Sequence, residues 1–304
     1  MSNMSDQTRV LLWTVPRTCS SILLKSLSNI PDSQMIFELF STAYNFGPDK
    51  LRPTFNNVVY NYEGIKLDGN GLLQLPGSGF MSSICTFEWV KRQLEADYQG
   101  KKVIIAKEMA PWLNGRYELI PKGYRHVFLI RSPYKVFPSW KKQKKTFLEC
   151  MGGKLKPEDP VLDPLPQNTH PGLVYKEITD LLQHIKENNF DTDPIIIDSD
   201  DLLQNPKEIL SAVCSRVGIP YSDSLLSWEA GVSVADQWMT SCEMKRMFNL
   251  EKFFLPFKNT TCFKKSVVPN NETPDFATFQ PDVQRCLEYS MPYYVKLFEQ
   301  RLKC

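Results

Sequence analysis

Short apolar runs alternate with amphipathic stretches along the 304 residues of this chain. Five of the runs are continuously apolar and too short for helices, which is typical of parallel strands that are covered on both faces. The stretches between them carry leucine, isoleucine and valine at helical spacing. This alternation predicts βαβ units, and therefore an α/β fold with a central parallel sheet flanked by helices. The predicted strands cover residues 10–15, 35–37, 103–106, 126–130 and 195–197.

The remaining segments divide into predicted helices and two long loops. Residues 154–171 hold five prolines, and residues 257–281 lack a regular apolar period, so both predict loops. We expect a single domain over 1–304, with a disordered N-terminus at 1–8 and a loop or lid over a site at 150–171. The predicted helices cover residues 20–28, 86–98, 134–147, 172–188, 206–217 and 281–302.

Composition and charge narrow the class of protein. Hydrophobic residues make up 42% of the chain, which is enough for a large core. Lys and Arg number 36 against 34 Asp and Glu, so net charge gives no reason to expect a nucleic-acid partner. The absence of a long apolar run predicts a cytoplasmic protein with no membrane association. The eight cysteines form no CxxC pair, which favours free thiols.

The turn after the first predicted strand has the chemistry of an anion site. Arg17 supplies a charge, Thr18, Ser20 and Ser21 supply hydroxyl donors, and the following helix begins near Ser20. The free backbone N–H groups at a helix start bind phosphate or sulfate. The alternative is that these hydroxyls only cap the helix. The Walker A pattern GxxxxGK[ST] is absent from the turn, which counts against an ordinary nucleotide triphosphatase or kinase.

A second anchor for an anion follows the predicted strand at 126–130. Arg131 lies at the end of that strand, and Ser139 lies eight positions later in the next predicted helix. An arginine in this position can hold a phosphate in a bidentate grip, and a helix hydroxyl can complete the contact. The alternative is a surface arginine that pairs with a nearby carboxylate.

Together these segments resemble the sulfotransferases that use 3′-phosphoadenosine 5′-phosphosulfate (PAPS). The string PRTCSS at 16–21 is similar to the family's 5′-phosphosulfate loop, and the spacing of Arg131 and Ser139 is similar to that of its 3′-phosphate ligands. The stretch IDSDDLLQNPKEIL at 197–210 resembles the segment after the family's last core strand. Further similarity at 37–40, 43–48 and 290–298 is to a sulfotransferase-like group often labelled branched-chain aminotransferase-like.

The resemblance implies a three-layer, P-loop-like fold and a reaction. A hydroxyl of a small-molecule acceptor attacks the sulfur of PAPS in line, and adenosine 3′,5′-bisphosphate leaves. The resemblance requires no metal, and a homodimer is compatible with it. The cofactor-binding residues that it implies are Arg17, Thr18, Cys19, Ser20, Ser21, Arg131 and Ser139.

The same resemblance suggests catalytic residues, with one departure. Arg17 stands where many cytosolic sulfotransferases carry a lysine, so we expect it to stabilise charge on the leaving oxygen. Lys107 matches the family's lysine ahead of the 3′-phosphate strand, but Met109 occupies the place of the family's catalytic histidine. We therefore predict Glu38 as the general base, with Glu108 second and His170 third. Lys107 either assists at the sulfuryl oxygens or only pairs with Glu108.

Other functions stay open on the sequence. A P-loop-like small-molecule kinase and a non-catalytic nucleotide-binding module are the alternatives, while an aminotransferase lacks a suitable strand and lysine for pyridoxal phosphate. Cys19 stands where the family often has glycine, and a thiolate nucleophile there is the less favoured interpretation. The family's glycine-rich 3′-phosphate loop is not recognisable in TTCFKK at 260–265, where Lys264 or Lys265 are candidate replacements.

Overall fold

Five parallel strands form the central sheet of the protein. The computed structural model describes residues 7–51, 79–150, 162, 174–250, 252–265 and 274–304. The strands are rich in β-branched and aliphatic side chains, and nearly all of these are buried. The strands are β1 (Thr8–Thr14), β2 (Ser33–Phe37), β3 (Val103–Met109), β4 (Arg125–Ile130) and β5 (Ile195–Asp198).

The strand order in the sheet is β2-β3-β1-β4-β5, and all neighbouring pairs are parallel. The register aligns the carboxyl ends, because Thr14 pairs with Met109 on one side while Leu129 is its partner on the other. β1 and β4 are neighbours in the sheet, but the connections that follow them run in opposite directions. The chain passes from β1 to β2 at one edge of the sheet, and from β4 to β5 at the other edge. A crevice between two such strands is where ligands bind in open α/β sheets.

Helices cover both faces of the sheet, which makes three layers. One face packs against α2, α3, α4, α5, α6 and α11, and the other against α1, α7, α8, α9 and α10. The helices are α1 (Ser20–Leu27), α2 (Leu39–Phe46), α3 (Phe87–Glu95), α4 (Ala110–Leu113), α5 (Pro133–Cys150), α6 (Val174–Glu187), α7 (Ser199–Gln204), α8 (Pro206–Val217), α9 (Cys242–Asn249), α10 (Leu255–Asn259) and α11 (Pro281–Glu299).

Alternate residues of each strand enter opposite halves of the core. Leu11 and Trp13 pack on the α2 face, whereas Val10 and Leu12 pack on the α1 face. Because strand side chains alternate between faces, a continuously apolar run is what a doubly covered strand requires. The predicted α/β fold with a central parallel sheet and two helical layers is therefore confirmed.

Most predicted elements lie within a few residues of the observed ones, and the helix predicted at 206–217 has the observed bounds. Five helices were not predicted, namely α2, α4, α7, α9 and α10. The last of these begins before the predicted loop at 257–281 and extends into it. These helices have at most eight residues, and they are held by core packing rather than by a long apolar period. Residues 257–281 also contain a 3₁₀ turn at Phe276–Thr278.

The predicted terminal and lid segments lie mostly outside the described residues. At the N-terminus, residues 7 and 8 are described, and Thr8 already begins β1. The predicted loop or lid at 150–171, with His170, lies outside the described residues except for Leu162 and the last residue of α5. Across the parts of the chain that are described, no helix has the combination of length and apolar character needed to cross a bilayer.

Candidate functional site

The turn between β1 and α1 lies at the carboxyl edge of the sheet. Arg17 and Cys19 both have positive φ, at 67° and 54°. The amides of Ile22 and Leu23 bond to the Cys19 carbonyl oxygen, so the amides just before them are those that a helix start leaves without an intrahelical partner. Loops of this conformation turn successive N–H groups toward one point and bind anions. The predicted anion turn therefore has a suitable backbone.

The hydroxyl groups of the turn have separate environments. Thr18 is fully buried, and its Oγ1 donates to the Val15 carbonyl oxygen at 2.9 Å. Ser20 is buried and Ser21 is partly exposed at the first turn of α1. The Thr18 hydroxyl thus stabilises the loop, while Ser20 and Ser21 lie beside the amides at the helix start.

Cys19 occupies a glycine-like position in this turn. It is the N-cap residue of α1, with φ 54° and ψ 20°, in the left-handed region that glycine adopts without cost. Burial raises the pKa of its thiol to about 11. A thiol with that pKa is protonated at neutral pH, so Cys19 is a poor nucleophile and is better regarded as part of the loop.

The two predicted anchors for an anion meet at the crevice between β1 and β4. Arg17 Nε donates a hydrogen bond of 3.0 Å to Ser139 Oγ on α5, although the residues are 122 positions apart. Arg131 Nη1 lies 3.4 Å from the Arg17 carbonyl oxygen. Burial, followed by the nearby charge of Arg131, lowers the pKa of Arg17. Two guanidinium groups and a helix hydroxyl therefore converge on the end of the α1 turn.

Two charged residues that the sequence analysis did not assign complete this cluster. Asp200 Oδ1 lies 3.2 Å from Arg131 Nη2, and Asp200 Oδ2 lies 3.0 Å from Lys135 Nζ. The carboxylate is buried, and its two cationic partners are about one-quarter exposed or less. Lys135 is four residues from both Arg131 and Ser139, so helical spacing of charged residues after Arg131 was the available signal for it.

Side chains near β5 tie the strand ends together around the anion cluster. Ser199 Oγ lies 2.8 Å from both the Thr18 and the Ile130 carbonyl oxygens, which links β5 to the β1 turn and to β4. Tyr175 on α6 donates to the Arg131 carbonyl oxygen. Asp198 caps α7 by accepting from the Asp200 amide at 2.8 Å. These bonds fix the backbone at Thr18, Arg131 and Asp200, and so position the residues of the anion cluster.

A second polar cluster lies at the ends of β2 and β3. Glu38 and Lys107 form a buried ion pair, with relative exposures of 4% and 1%. Glu38 has a positive φ of 54° and immediately precedes α2. Lys107 Nζ also lies 5.0 Å above the Phe37 ring. Lys107 therefore pairs with Glu38, and the alternative that Lys107 only pairs with Glu108 is not observed.

Alternation along β3 explains why Lys107 and Glu108 are apart. Adjacent strand residues point to opposite faces, and Glu108 enters the α2 face of the core. Its two carboxylate oxygens accept the amides of Leu39 at 2.7 Å and Phe40 at 3.1 Å, at the start of α2. Burial and the nearby charge of Glu38 raise the pKa of Glu108 to about 8, although these amide bonds oppose the shift.

The two clusters occupy neighbouring strand ends. β3 and β1 are adjacent, and Thr14 Oγ1 bonds to the Glu108 carbonyl oxygen at 3.3 Å. Neighbouring strands are about 4.8 Å apart, so the turn that follows β1 lies between the Glu38 cluster and Arg131. The predicted residues of both clusters thus share one edge of the sheet.

Two histidines and several large aromatic residues lie in structural surroundings. His126 is buried, its Nδ1 accepts from Trp13 Nε1 at 2.9 Å, and burial lowers its pKa to about 4. His184 stacks on Tyr117. Six large aromatic residues, which could have lined one acceptor pocket, divide between the two halves of the core: Tyr44, Trp112 and Trp140 on one face, and Phe46, Trp228 and Trp238 on the other.

A family model described as a sulfotransferase domain matches residues 187–251. The matched segment contains β5 and α7, and with them the Asp200 that pairs with Arg131 and Lys135. The sulfotransferase resemblance that the sequence predicts is confirmed.

Two Arabidopsis thaliana proteins are similar to this chain over most of its length. Both are called branched-chain-amino-acid aminotransferase-like proteins, numbered 1 and 2, and each is 24% identical over 72% of the chain. The aligned part is 32% and 31% of those two proteins, so this chain spans about a third of the length of each relative. Their names match the labelled group that the sequence resembles.

Several solved sulfotransferase structures are distantly similar. The sulfotransferase domain of the curacin biosynthetic pathway has a TM-score of 0.42 at 14% identity and covers 92% of this chain and 96% of its own. Mouse sulfotransferase SULT7A1 complexed with PAP has a TM-score of 0.40 at 13% identity and covers 97% of this chain and 85% of its own. At these TM-scores the likeness is distant, and it is the strand order and the two helical layers that define the fold.

Proposed function

We propose that this protein transfers a sulfuryl group from PAPS to a hydroxyl of a small-molecule acceptor. The observation that carries the proposal is the bond between Arg17 and Ser139. It joins the residues that the resemblance assigns to the two phosphate-binding parts of PAPS, and it does so in the crevice where an open α/β sheet binds ligands. The sulfotransferase-domain match supports the same reaction class.

In this proposal the donor is held from both sides of the crevice. The amides at the start of α1, with Ser20 and Ser21, take the 5′-phosphosulfate, and the hydroxyl of Thr18 stabilises the loop that presents them. Arg131 and Ser139 take the 3′-phosphate, since a planar guanidinium can bind two phosphate oxygens at once. In this proposal the chain therefore has separate hydrogen-bond donors for the 5′-phosphosulfate and for the 3′-phosphate of PAPS.

Arg17 is the residue we propose to act on the leaving oxygen. When the sulfur–oxygen bond breaks, negative charge develops on the bridging phosphate oxygen, and a fixed cation there favours the transition state over the ground state. Arg17 stands in the α1 turn and is oriented by Ser139. Its low exposure to water strengthens the interaction.

Glu38 remains our proposed general base. Its carboxylate is buried at the end of β2, and Lys107 fixes its position. An acceptor hydroxyl would lose its proton to this carboxylate as the acceptor oxygen attacks sulfur, and Lys107 would be free to approach the sulfuryl oxygens. Glu108 is less suited to the role, because both of its oxygens accept amides of α2.

The proposal is tested by following radiolabelled sulfuryl groups from PAPS into a pool of small phenols and aliphatic alcohols. We expect labelled products with the wild-type protein and a rate about a hundredfold lower with Arg17→Ala, as for loss of one transition-state donor. Arg216→Ala is the matched control, since Arg216 pairs with Asp193 at an exposed surface and should transfer at the wild-type rate.

Melting temperatures with nucleotides separate the alternatives. A ligand that binds the folded state raises the melting temperature, so adenosine 3′,5′-bisphosphate should stabilise the protein and ATP with magnesium should not. Stabilisation by ATP alone would favour the kinase. Stabilisation by the bisphosphate without any sulfuryl transfer would favour a binding module.

A further inference from the structure

The anion cluster contains more positive charge than the two predicted anchors supply. Arg17, Arg131 and Lys135 lie around the crevice, and Asp200 is the carboxylate in direct contact with two of them. Asp200 binds Arg131 through one oxygen and Lys135 through the other, so a single anion bridges two cations. Two oxygens of a phosphate could make the same two contacts. A carboxylate is planar and a phosphate is tetrahedral, but the separation between two oxygens is similar in the two anions.

We propose that Lys135 is a third ligand of the nucleotide's 3′-phosphate and that Asp200 is the internal counter-ion which holds Lys135 and Arg131 ready for it. This inference rests on the proposed function, since it concerns the same nucleotide. The helix geometry supports it, because Lys135 lies one turn before Ser139 on α5 and therefore on the same side of that helix.

The backbone of Asp200 is held in place by bonds that do not involve the cations. Its amide donates to Asp198 Oδ1 at 2.8 Å, and Asp198 Oδ2 in turn accepts from Tyr294 on α11 at 3.1 Å. The backbone of Asp200 is thus anchored at the start of α7. An anchored backbone keeps the Asp200 carboxylate within reach of Arg131 and Lys135, where it would compete with a phosphate for them.

Because Asp200 and the 3′-phosphate compete for the same cations, removal of the Lys135 charge and removal of the Asp200 charge should change the affinity for the 3′-phosphate in opposite directions. Loss of the Lys135 charge removes a charge-assisted bond to the 3′-phosphate, whereas loss of the Asp200 charge removes a competitor for the same cations. The informative quantity is the ratio of the dissociation constants of adenosine 5′-monophosphate and adenosine 3′,5′-bisphosphate. Only the second nucleotide carries the 3′-phosphate, so effects on the rest of the nucleotide cancel in the ratio.

Titration calorimetry on the full chain tests this, with the monophosphate measured by displacement of the bisphosphate. We expect Lys135→Gln to lower the ratio about tenfold and Lys135→Arg to keep it close to the wild-type value. We expect Asp200→Asn to raise the ratio by up to about tenfold. The Lys135 side chain is one-quarter exposed on a helix surface, so its variants should fold, and circular dichroism checks that.

The outcomes separate this inference from the proposed function. If the wild-type protein does not bind the bisphosphate, the proposed function fails. If the wild type binds and Lys135→Gln leaves the ratio unchanged, Lys135 is not a 3′-phosphate ligand. If Asp200→Asn lowers the ratio, Asp200 acts only to position the cations and not as a competing counter-ion. Should Asp200→Asn fail to fold, the two Lys135 variants decide alone.

Discussion

Two residues of β3, Lys107 and Glu108, hold Glu38 and the backbone that follows it at the end of β2. Glu38 takes a left-handed conformation that few residues other than glycine, asparagine and aspartate adopt, and it forms a buried ion pair with Lys107. Glu108, on the other face of β3, binds the amides that follow Glu38. A strained, buried carboxylate is costly to keep, which fits a residue retained for chemistry.

The elevated pKa of Glu108 predicts a pH dependence of stability. An unfolded glutamate loses its proton near 4.5, whereas folded Glu108 keeps its proton until about pH 8. Between these values the folded state binds more protons, so the free energy of unfolding contributed by this group decreases as pH rises. The decrease reaches about 1.4 kcal/mol per pH unit.

Urea denaturation of Glu108→Gln between pH 6 and pH 8 tests this prediction. Glutamine does not titrate, so the variant should lose that part of the slope, whatever its stability at any one pH. Glu95→Gln, on the exposed side of α3, is the control and should keep the wild-type slope. An unchanged slope in the Glu108 variant would show that Glu108 is already ionised in the folded protein.

At the scale of elements, the turn that joins β1 to α1 concentrates backbone strain at the anion site. Arg17 and Cys19 both have positive φ within three residues. Left-handed conformation costs an L-residue roughly 1–2 kcal/mol, which the bond from Thr18 to Val15 and the bonds from Ser199 help to offset. The same conformation aims the turn's amides at a ligand.

Substitution of Cys19 by glycine should therefore not destabilise the protein. Glycine relieves the strain at φ 54° but loses about 0.5–1 kcal/mol of chain entropy, so we expect a gain of up to about 1 kcal/mol. Cys19→Val, with a branched side chain in the same conformation, should lose more than about 1 kcal/mol. The free energy of unfolding from urea titration measures both. A loss of more than about 1 kcal/mol in the glycine variant would contradict this explanation.

The strands and long helices could be predicted from the sequence because their patterns are local. A strand that is covered on both faces must be apolar throughout. The bounds of α8 are indicated by a proline at its start and a glycine after its end. Short helices such as α2 give too few periodic positions to stand out. They follow from contacts with distant residues, as when Glu108 binds the start of α2.

The residues of the candidate site could be predicted only where their separation along the sequence, or a local motif, indicated them. Arg131 and Ser139 have a fixed separation along one strand and helix, and Arg17 lies in a turn with its own signature. The pairing of Lys107 with Glu38, and of Lys135 with Asp200, joins residues 65 or more positions apart. Such pairs depend on strand order and register, which the sequence alone does not provide.

At the scale of the whole molecule, strand order brings the site together. β1 lies at the middle of the sheet between β3 and β4, so its turn adjoins both the Glu38 cluster and Arg131. On the other side of β4, α7 follows β5 and supplies Asp200. The central claim is that this edge of the sheet binds a nucleotide with two phosphate groups and presents it to a buried carboxylate.

Isothermal titration with adenosine 3′,5′-bisphosphate tests this claim most directly, with wild type, Arg131→Ala and the control Arg216→Ala compared. We expect micromolar or tighter binding by the wild type and the control, and a loss of about a hundredfold or more with Arg131→Ala, since a bidentate charged contact is removed. Absence of binding by a folded wild-type protein would contradict the account.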